Sequence, residues 1–273
     1  FGMGFDNLEL SESGKLLWPQ RDMYMIQASI DNYLNSEAPF HVYYLIISGH
    51  MPYSNNRVAN QYRDLVDPLP YSDTTKNYVA TVIEVDRALE YLIQRLEEAG
   101  KLDSTLIVAA PDHIPYFDVA TLEELAGESF GSSEDLEYLK EGNINFDVYR
   151  NSLILWSASM EEPVEVDKVC CQVDILPTVS NLLGLEYDSR MLDGSDILSD
   201  NEGLVVFSSK CWRSDRGFYD RYTSTFTPAA GVSMTAEEQE DYVSAMKKLV
   251  QYKLDSTALV IENDFYGYVF GNG

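Results

Sequence analysis

Basic residues are scarce in this 273-residue chain: Lys and Arg number 19 against 45 Asp and Glu, a formal net charge of −26. Phosphate backbones and anionic lipid are held by basic surfaces, so this balance argues against nucleic acid and against docking on an acidic membrane through a cationic face. It leaves cationic or metal-bridged partners open. The acidity is spread along the chain and reports solubility more than a binding face. Cysteine is as sparse. Cys170, Cys171 and Cys211 cannot all pair with one another, the adjacent two are poorly placed for a mutual disulfide, and no CxxC spacing exists. Such a chain suits the cytoplasm or a cysteine-poor exterior equally. No apolar run approaches the roughly 20 residues that span a bilayer. No signal peptide is visible either, and the chain opens at Phe1 rather than Met, so trimming is expected, with any anchoring segment upstream.

Hydrophobic residues make up 45% of the chain at a mean hydropathy of −0.22, enough to bury a sizeable core and to exclude a disordered tail. The stretch Leu106-Ile-Val-Ala-Ala-Pro-Asp-His113 reads as a buried strand, Leu106 to Ala110, stopped by Pro111. Ligands collect beyond the carboxyl ends of strands in open α/β sheets, which puts Asp112 and His113 where chemistry is done. A carboxylate oxygen beside a neutral imidazole suits Zn²⁺, Mn²⁺ or a similar ion, with at least one more ligand required from elsewhere. The plainer reading is an Asp capping a turn beside a surface His.

The other elements follow in order. Helical spacing runs over Met23–Leu34 with Asp22 as N-cap, and His41–Ile47 is strand-like, ending in Ser48-Gly-His-Met-Pro-Tyr53. A polar loop is expected up to Ser72. An apolar stripe from Tyr78 to Ala99 marks a helix over Thr74–Ala99, capped by Asp73 and closed by Gly100. Strand, long helix, strand is a βαβ crossover and implies a parallel sheet. Residues 121–141 read as one or two short surface helices and Asn151–Trp156 as a strand. Val173–Gly184 reads as a helix with Asp174 as N-cap, Pro177 in the first turn and Gly184 as its stop. Leu204–Ser208 reads as a strand, Thr235–Tyr252 as a helix and Ser256–Asn263 as a last strand. The fold class expected is α/β, a largely parallel sheet flanked by helices, with residues 1–203 as the main domain and 204–273 as a smaller C-terminal subdomain.

Three histidines are available. His41 begins a strand and reads as structural or solvated, whereas His50 sits in a strand-end loop between Gly49 and Pro52, a position that favours function. Trp18 reads equally as core or as a ligand contact, and Arg21 as a partner of nearby acid or as a ligand contact. Cys170 and Cys171 read as core residues.

Four stretches, in this order, resemble the lipoteichoic acid synthase family, a sulfatase-like branch of the alkaline phosphatase superfamily. They are Trp18-Pro-Gln-Arg-Asp22, Ser48-Gly-His-Met-Pro-Tyr53, the Tyr78–Leu96 helix leading to Ala110-Pro-Asp-His113, and Val173-Asp-Ile-Leu-Pro-Thr178 with Asn181-Leu-Leu-Gly184. The similarity covers nearly the whole chain but only the C-terminal half of the family. It implies an alkaline-phosphatase/sulfatase-like fold with one divalent ion, Mn²⁺ first and Mg²⁺ or Zn²⁺ as alternatives, held by Asp112 and His113. It also implies that His50 contacts the phosphoglycerol head group and acts in catalysis, with Trp18 and Arg21 in the segment that supplies an aromatic and a basic substrate contact. The family's nucleophilic threonine and a glutamate ligand match positions upstream of Phe1. Ile114-Pro115 follows the Asp-His pair where the family places glycine or another small residue.

The implied reaction is transfer of glycerophosphate from phosphatidylglycerol to a growing glycerophosphate polymer, on the extracellular face of the cell membrane, with membrane contact through the upstream part. Alternatives are a sulfatase or phosphodiesterase hydrolase on the same fold, or a non-catalytic domain that binds an anionic glycan.

Overall fold

The computed structural model describes residues 8–129 and 148–271. Among these, 8–129 with 148–162 form one compact unit and 163–271 another. The first holds five helices, α1 (Asp22–Ser29), α2 (Asp31–Leu34), α3 (Ala59–Val66), α4 (Asp73–Glu98) and α5 (Val119–Ala126), with strands β1 (Ile107–Ala109) and β2 (Ile154–Trp156). The second holds α6 (Ile175–Leu182), strands β3 (Leu204–Val206), β4 (Trp212–Ser214), β5 (Gly217–Asp220) and β6 (Thr225–Pro228), then α7 (Ala236–Glu262) and α8 (Phe265–Phe270).

Helix α4 organises the first unit. The Ser72 hydroxyl, not Asp73, caps it by accepting from Thr75 N, and Gly100 lies beyond its end at φ +66. Ile26, Ile30 and Leu34 pack on Ala88 and Leu96 toward its C-terminal end, while Ala59 and Val66 of α3 pack with Ala80. Each large aliphatic side chain removed from water in this way stabilises the unit by roughly 1.5–3 kcal/mol. Glu124 of α5 accepts from the Ser72 and Thr75 hydroxyls, which ties α5 to the start of α4.

The expected parallel sheet is not formed. The fold is largely helical, with two small antiparallel sheets: β1 pairs with β2, and β3 to β6 form a meander. His41–Ile47 makes no ladder among the described residues, so no βαβ crossover forms among them; Tyr43 there is 78% exposed. A strand-like pattern marks residues suited to a sheet, but a strand exists only where a neighbouring backbone accepts and donates its hydrogen bonds. The Leu106–Ala110 stretch contributes only β1, and Val108 and Ala109 are exposed rather than buried. The polar loop before Ser72 contains α3. Of the helices expected over 121–141, α5 starts earlier, at Val119 behind its cap Asp118, and residues 130–141 lie outside the described residues.

In the second unit, Trp212, Tyr219 and Phe226 of the meander pack on Met246 and Val250 of α7. Thr235 caps α7 in a reciprocal box with Glu238. The strand expected over Ser256–Asn263 is helix instead. From Ala236 to Glu262 there is no glycine or proline to stop propagation, and the Ser256 and Thr257 hydroxyls bond back to Lys253 O inside the helix. Helix α6 ends as expected at Gly184, φ +63, but Asp174 does not cap it. Its carboxylate accepts instead from Cys171 N and Ser195 N, stitching two loops together. Burial pushes the neighbouring Cys171 thiol up to about 11, which favours the thiol over the thiolate at neutral pH.

Gly217 opens β5 at φ +151, where a Cβ would lie 2.3 Å from Thr227 O of the paired strand. Gly217→Ala is therefore expected to cost about 2 kcal/mol or more, read as a fall in the urea midpoint of the second unit's unfolding.

Candidate functional site

Two successive residues, Arg21 and Asp22, reach in different directions from the start of α1. The Arg21 guanidinium lies against Glu84 in α4, with Nε 3.2 Å from Oε1 and Nη2 3.4 Å from Oε2. Glu84 is fully buried, and it also accepts from Met23 N at 3.2 Å and from the Tyr62 hydroxyl of α3. Four donors from three segments thus converge on one carboxylate, the condition under which a buried charge is tolerated. Burial raises the Tyr62 hydroxyl above its ordinary value, and its bond to Glu84 adds to that shift.

Asp22 turns the other way. It is buried and accepts from Ile47 N at 2.9 Å and from the Ser48 hydroxyl, with Ser48 N also within reach. The sequence placed Asp22 as an N-cap, yet it makes no cap bond to its own helix and instead holds the turn leading into Gly49-His50. Desolvation pushes its carboxyl up, against the opposite pull of the Ser48 and Ile47 hydrogen bonds.

Beyond that turn, one carbonyl orients two of the expected site residues. Met51 O accepts from Trp18 Nε1 at 3.2 Å and lies 2.9 Å from His50 Nδ1. The rings of Trp18 and His50 meet edge to face with centroids 5.1 Å apart. A carbonyl can only accept, so Nδ1 of His50 carries the proton and the neutral ring keeps its lone pair on Nε2.

Asp112 and His113 repeat this arrangement. His113 Nδ1 lies 2.7 Å from Ile114 O, which again leaves the lone pair on Nε2. Asp112 Oδ1 accepts from His113 N at 2.9 Å, while Oδ2 lies 3.6 Å from His113 Nε2. Donors bind divalent ions such as Zn²⁺ at about 2.0–2.2 Å, so these two atoms can share one ion, and the carbonyl bond to Nδ1 is the usual outer support for a ligating histidine. They are two ligands, not a closed set. Among the described residues no group of three or more His, Cys, Asp or Glu converges as a metal site.

An aromatic trio joins the two loops. Tyr53, three residues past His50, packs on Phe117 at 4.6 Å, and both rings meet Tyr78 of α4, at 5.6 and 5.1 Å. The segment carrying His50 and the segment carrying Asp112–His113 are thus joined through this trio. Of the residues that do the fastening, Ser48 belongs to a stretch the sequence singled out, whereas Glu84, Tyr62 and Phe117 carried no sequence signal of their own beyond a carboxylate in an otherwise amphipathic helix.

The two buried carboxylates respond differently to substitution. Asp22→Ala leaves the Ile47 and Ser48 donors unpaired and is expected to cost about 2–3 kcal/mol, whereas Asp22→Asn keeps an acceptor and costs under about 1 kcal/mol, measured by chemical denaturation. Because the Asp22 carboxyl is held above its unfolded value, its ionisation costs native stability. That cost is present at neutral pH and disappears as pH falls through the raised value, so the wild type gains on Asp22→Asn as the solution is acidified. Glu84→Ala leaves Arg21 facing an uncompensated cavity and is expected to lose about 3–5 kcal/mol, seen as a large drop in Tm.

The sulfatase family profile matches residues 7–185. Lipoteichoic acid synthase-like YvgJ of Bacillus subtilis (strain 168) is 24% identical over 195 residues, covering 71% of this chain and 30% of that protein. Lipoteichoic acid synthase 2 of the same organism is 22% identical over 265 residues, covering 94% of this chain and 37% of that protein. The chain therefore spans about a third of the length of these relatives. Among solved structures, the lipoteichoic acid synthase LtaP from Listeria monocytogenes superposes with a TM-score of 0.62 at 21% identity, covering 86% of this chain and 59% of that one. That likeness speaks to fold alone. Together with a family profile that takes in more than half of the residues, it leads to one assignment: the chain belongs to the sulfatase family and is distantly related to the lipoteichoic acid synthases.

Proposed function

We propose that this chain is part of a metal-dependent phosphoglycerol transferase that takes the head group of phosphatidylglycerol and adds it to a glycerophosphate polymer outside the cell membrane. What supports the reading is the pair of imidazoles, His50 and His113, each pinned through Nδ1 to the carbonyl of the next residue, on loops that meet at Tyr53 and Phe117. The relatives named as lipoteichoic acid synthases supply the substrate class.

In this reading Asp112 and His113 contribute two ligands to one divalent ion, Mn²⁺ in the first place. The remaining ligands and the nucleophile are supplied by residues other than those described. The ion would neutralise charge on the phosphoryl oxygens. His50 Nε2 faces the head group: neutral, it accepts from a glycerol hydroxyl, and protonated, it donates to the leaving oxygen. Trp18, 48% exposed beside that imidazole, offers an apolar face to the glycerol carbons. Arg21, anchored by Glu84 on one side and partly open to solvent, is placed to steady an oxyanion with its remaining donors. Among the described residues no helix is long and apolar enough to cross a membrane.

The test uses the full-length protein with phosphatidylglycerol and a glycerol-ended acceptor. Diacylglycerol release with extension of the acceptor is expected, falling by about 10²-fold or more in His50→Ala. Release of free glycerol phosphate alone, with acceptor present, would turn the reading to a hydrolase. In the same protein, Asp112→Ala is expected to weaken Mn²⁺ binding by at least about tenfold in a calorimetric titration.

A further inference from the structure

The segment after Asp112-His113 is held by one aromatic, Phe117, and presents the one before it, Tyr116, outward. Phe117 N donates to Pro115 O at 3.0 Å, a tight turn, and the Phe117 ring is inserted against Tyr53 and Tyr78. Asp118 then caps α5 through Thr121 N at 2.8 Å, which anchors the far side of the same turn. Tyr116, between these anchors and the Asp-His pair, goes the other way. Its ring lies 4.9 Å from the His113 ring, tilted by 37°, and the residue is 64% exposed. Its hydroxyl makes no hydrogen bond to the described residues.

A large aromatic left in water beside a histidine forgoes most of the burial that would otherwise hold it there. The turn is already fixed by Phe117 and Asp118, so Tyr116 is not needed to order it. Trp18 stands in the same relation to His50, half-exposed with its ring against the imidazole. Aromatic faces at the rim of a polar site serve the carbon-bearing part of a ligand whose charged part is held by ions and imidazoles.

We propose that Tyr116 is a further ligand-contacting residue of this site, an aromatic platform for the carbon skeleton of a phosphorylated polyol or sugar. The proposal rests on the reading of Asp112 and His113 as a phosphate-handling pair and adds to it what lies beside the phosphate. A platform contributes to a ligand with a carbon skeleton and not to bare phosphate, and that difference makes it testable.

The full-length protein is titrated calorimetrically in the presence of Mn²⁺ with glycerol 1-phosphate and, separately, with inorganic phosphate. Tyr116→Ala is expected to weaken glycerol 1-phosphate by about three- to tenfold while leaving inorganic phosphate within about twofold, and Tyr116→Phe is expected to bind both as wild type does. Equal weakening of both probes would overturn the proposal and make Tyr116 a residue that merely orders His113. No change with either probe in Tyr116→Ala would also overturn it, leaving the phosphate-handling pair intact. Failure of the wild type to bind either probe would remove that underlying reading, and Tyr116's role with it. Tyr116 is exposed, so the variants are expected to keep the wild-type far-UV circular dichroism.

Discussion

A carboxylate buried in the middle of a helix is stable only if donors surround it, and in the first unit Glu84 meets that condition with Arg21, Met23 N and Tyr62. These donors come from α1, the segment before it and α3, so the need to satisfy one charge draws three parts of the chain onto α4. Asp22 then transmits the constraint. It shares a backbone step with Arg21, and its carboxylate fixes the Ile47–Ser48 turn from which His50 projects. The position of the imidazole is thereby set by two acids, neither of which touches it.

The same economy of parts governs the candidate site side chains. Met51 O orients both Trp18 and His50, and Ile114 O orients His113. A backbone carbonyl is a good orienting group because it cannot change its protonation state. It fixes the tautomer with the proton on Nδ1, so the nitrogen left free is Nε2. The aromatic contact of Tyr53 with Phe117 makes the two histidine loops parts of one body.

The motifs were legible in the sequence because their chemistry is local. Gly49 and Pro52 around His50, the Asp-His dipeptide and the apolar stripe of α4 each occupy a few residues or one helical period. Two strands were legible as well, β2 within Asn151–Trp156 and β3 within Leu204–Ser208, but others were not. His41–Ile47 and Ser256–Asn263 each carry three β-branched residues, yet the first makes no ladder among the described residues and the second continues a helix. Whether a β-prone segment becomes a strand depends on a partner backbone, and whether it stays helical depends on what precedes it; neither is written in the segment itself. For the same reason Leu106–Ala110 was read as a buried parallel strand when it forms a short, exposed antiparallel one.

By itself, the sequence determined helix α4, the stops of α4 and α6 at Gly100 and Gly184, the scarcity of cationic residues and the candidates for metal or proton chemistry, since all of these follow from side-chain type and short spacing. Only the tertiary structure decided what each acid does. Asp22, Asp174 and Glu84 look alike in a string of letters, as cap, cap and solvated helix face. In the fold they are a clamp on a turn, a stitch between loops and a buried hub, because donors separated by 21 to 63 residues come within reach only once the helices have packed.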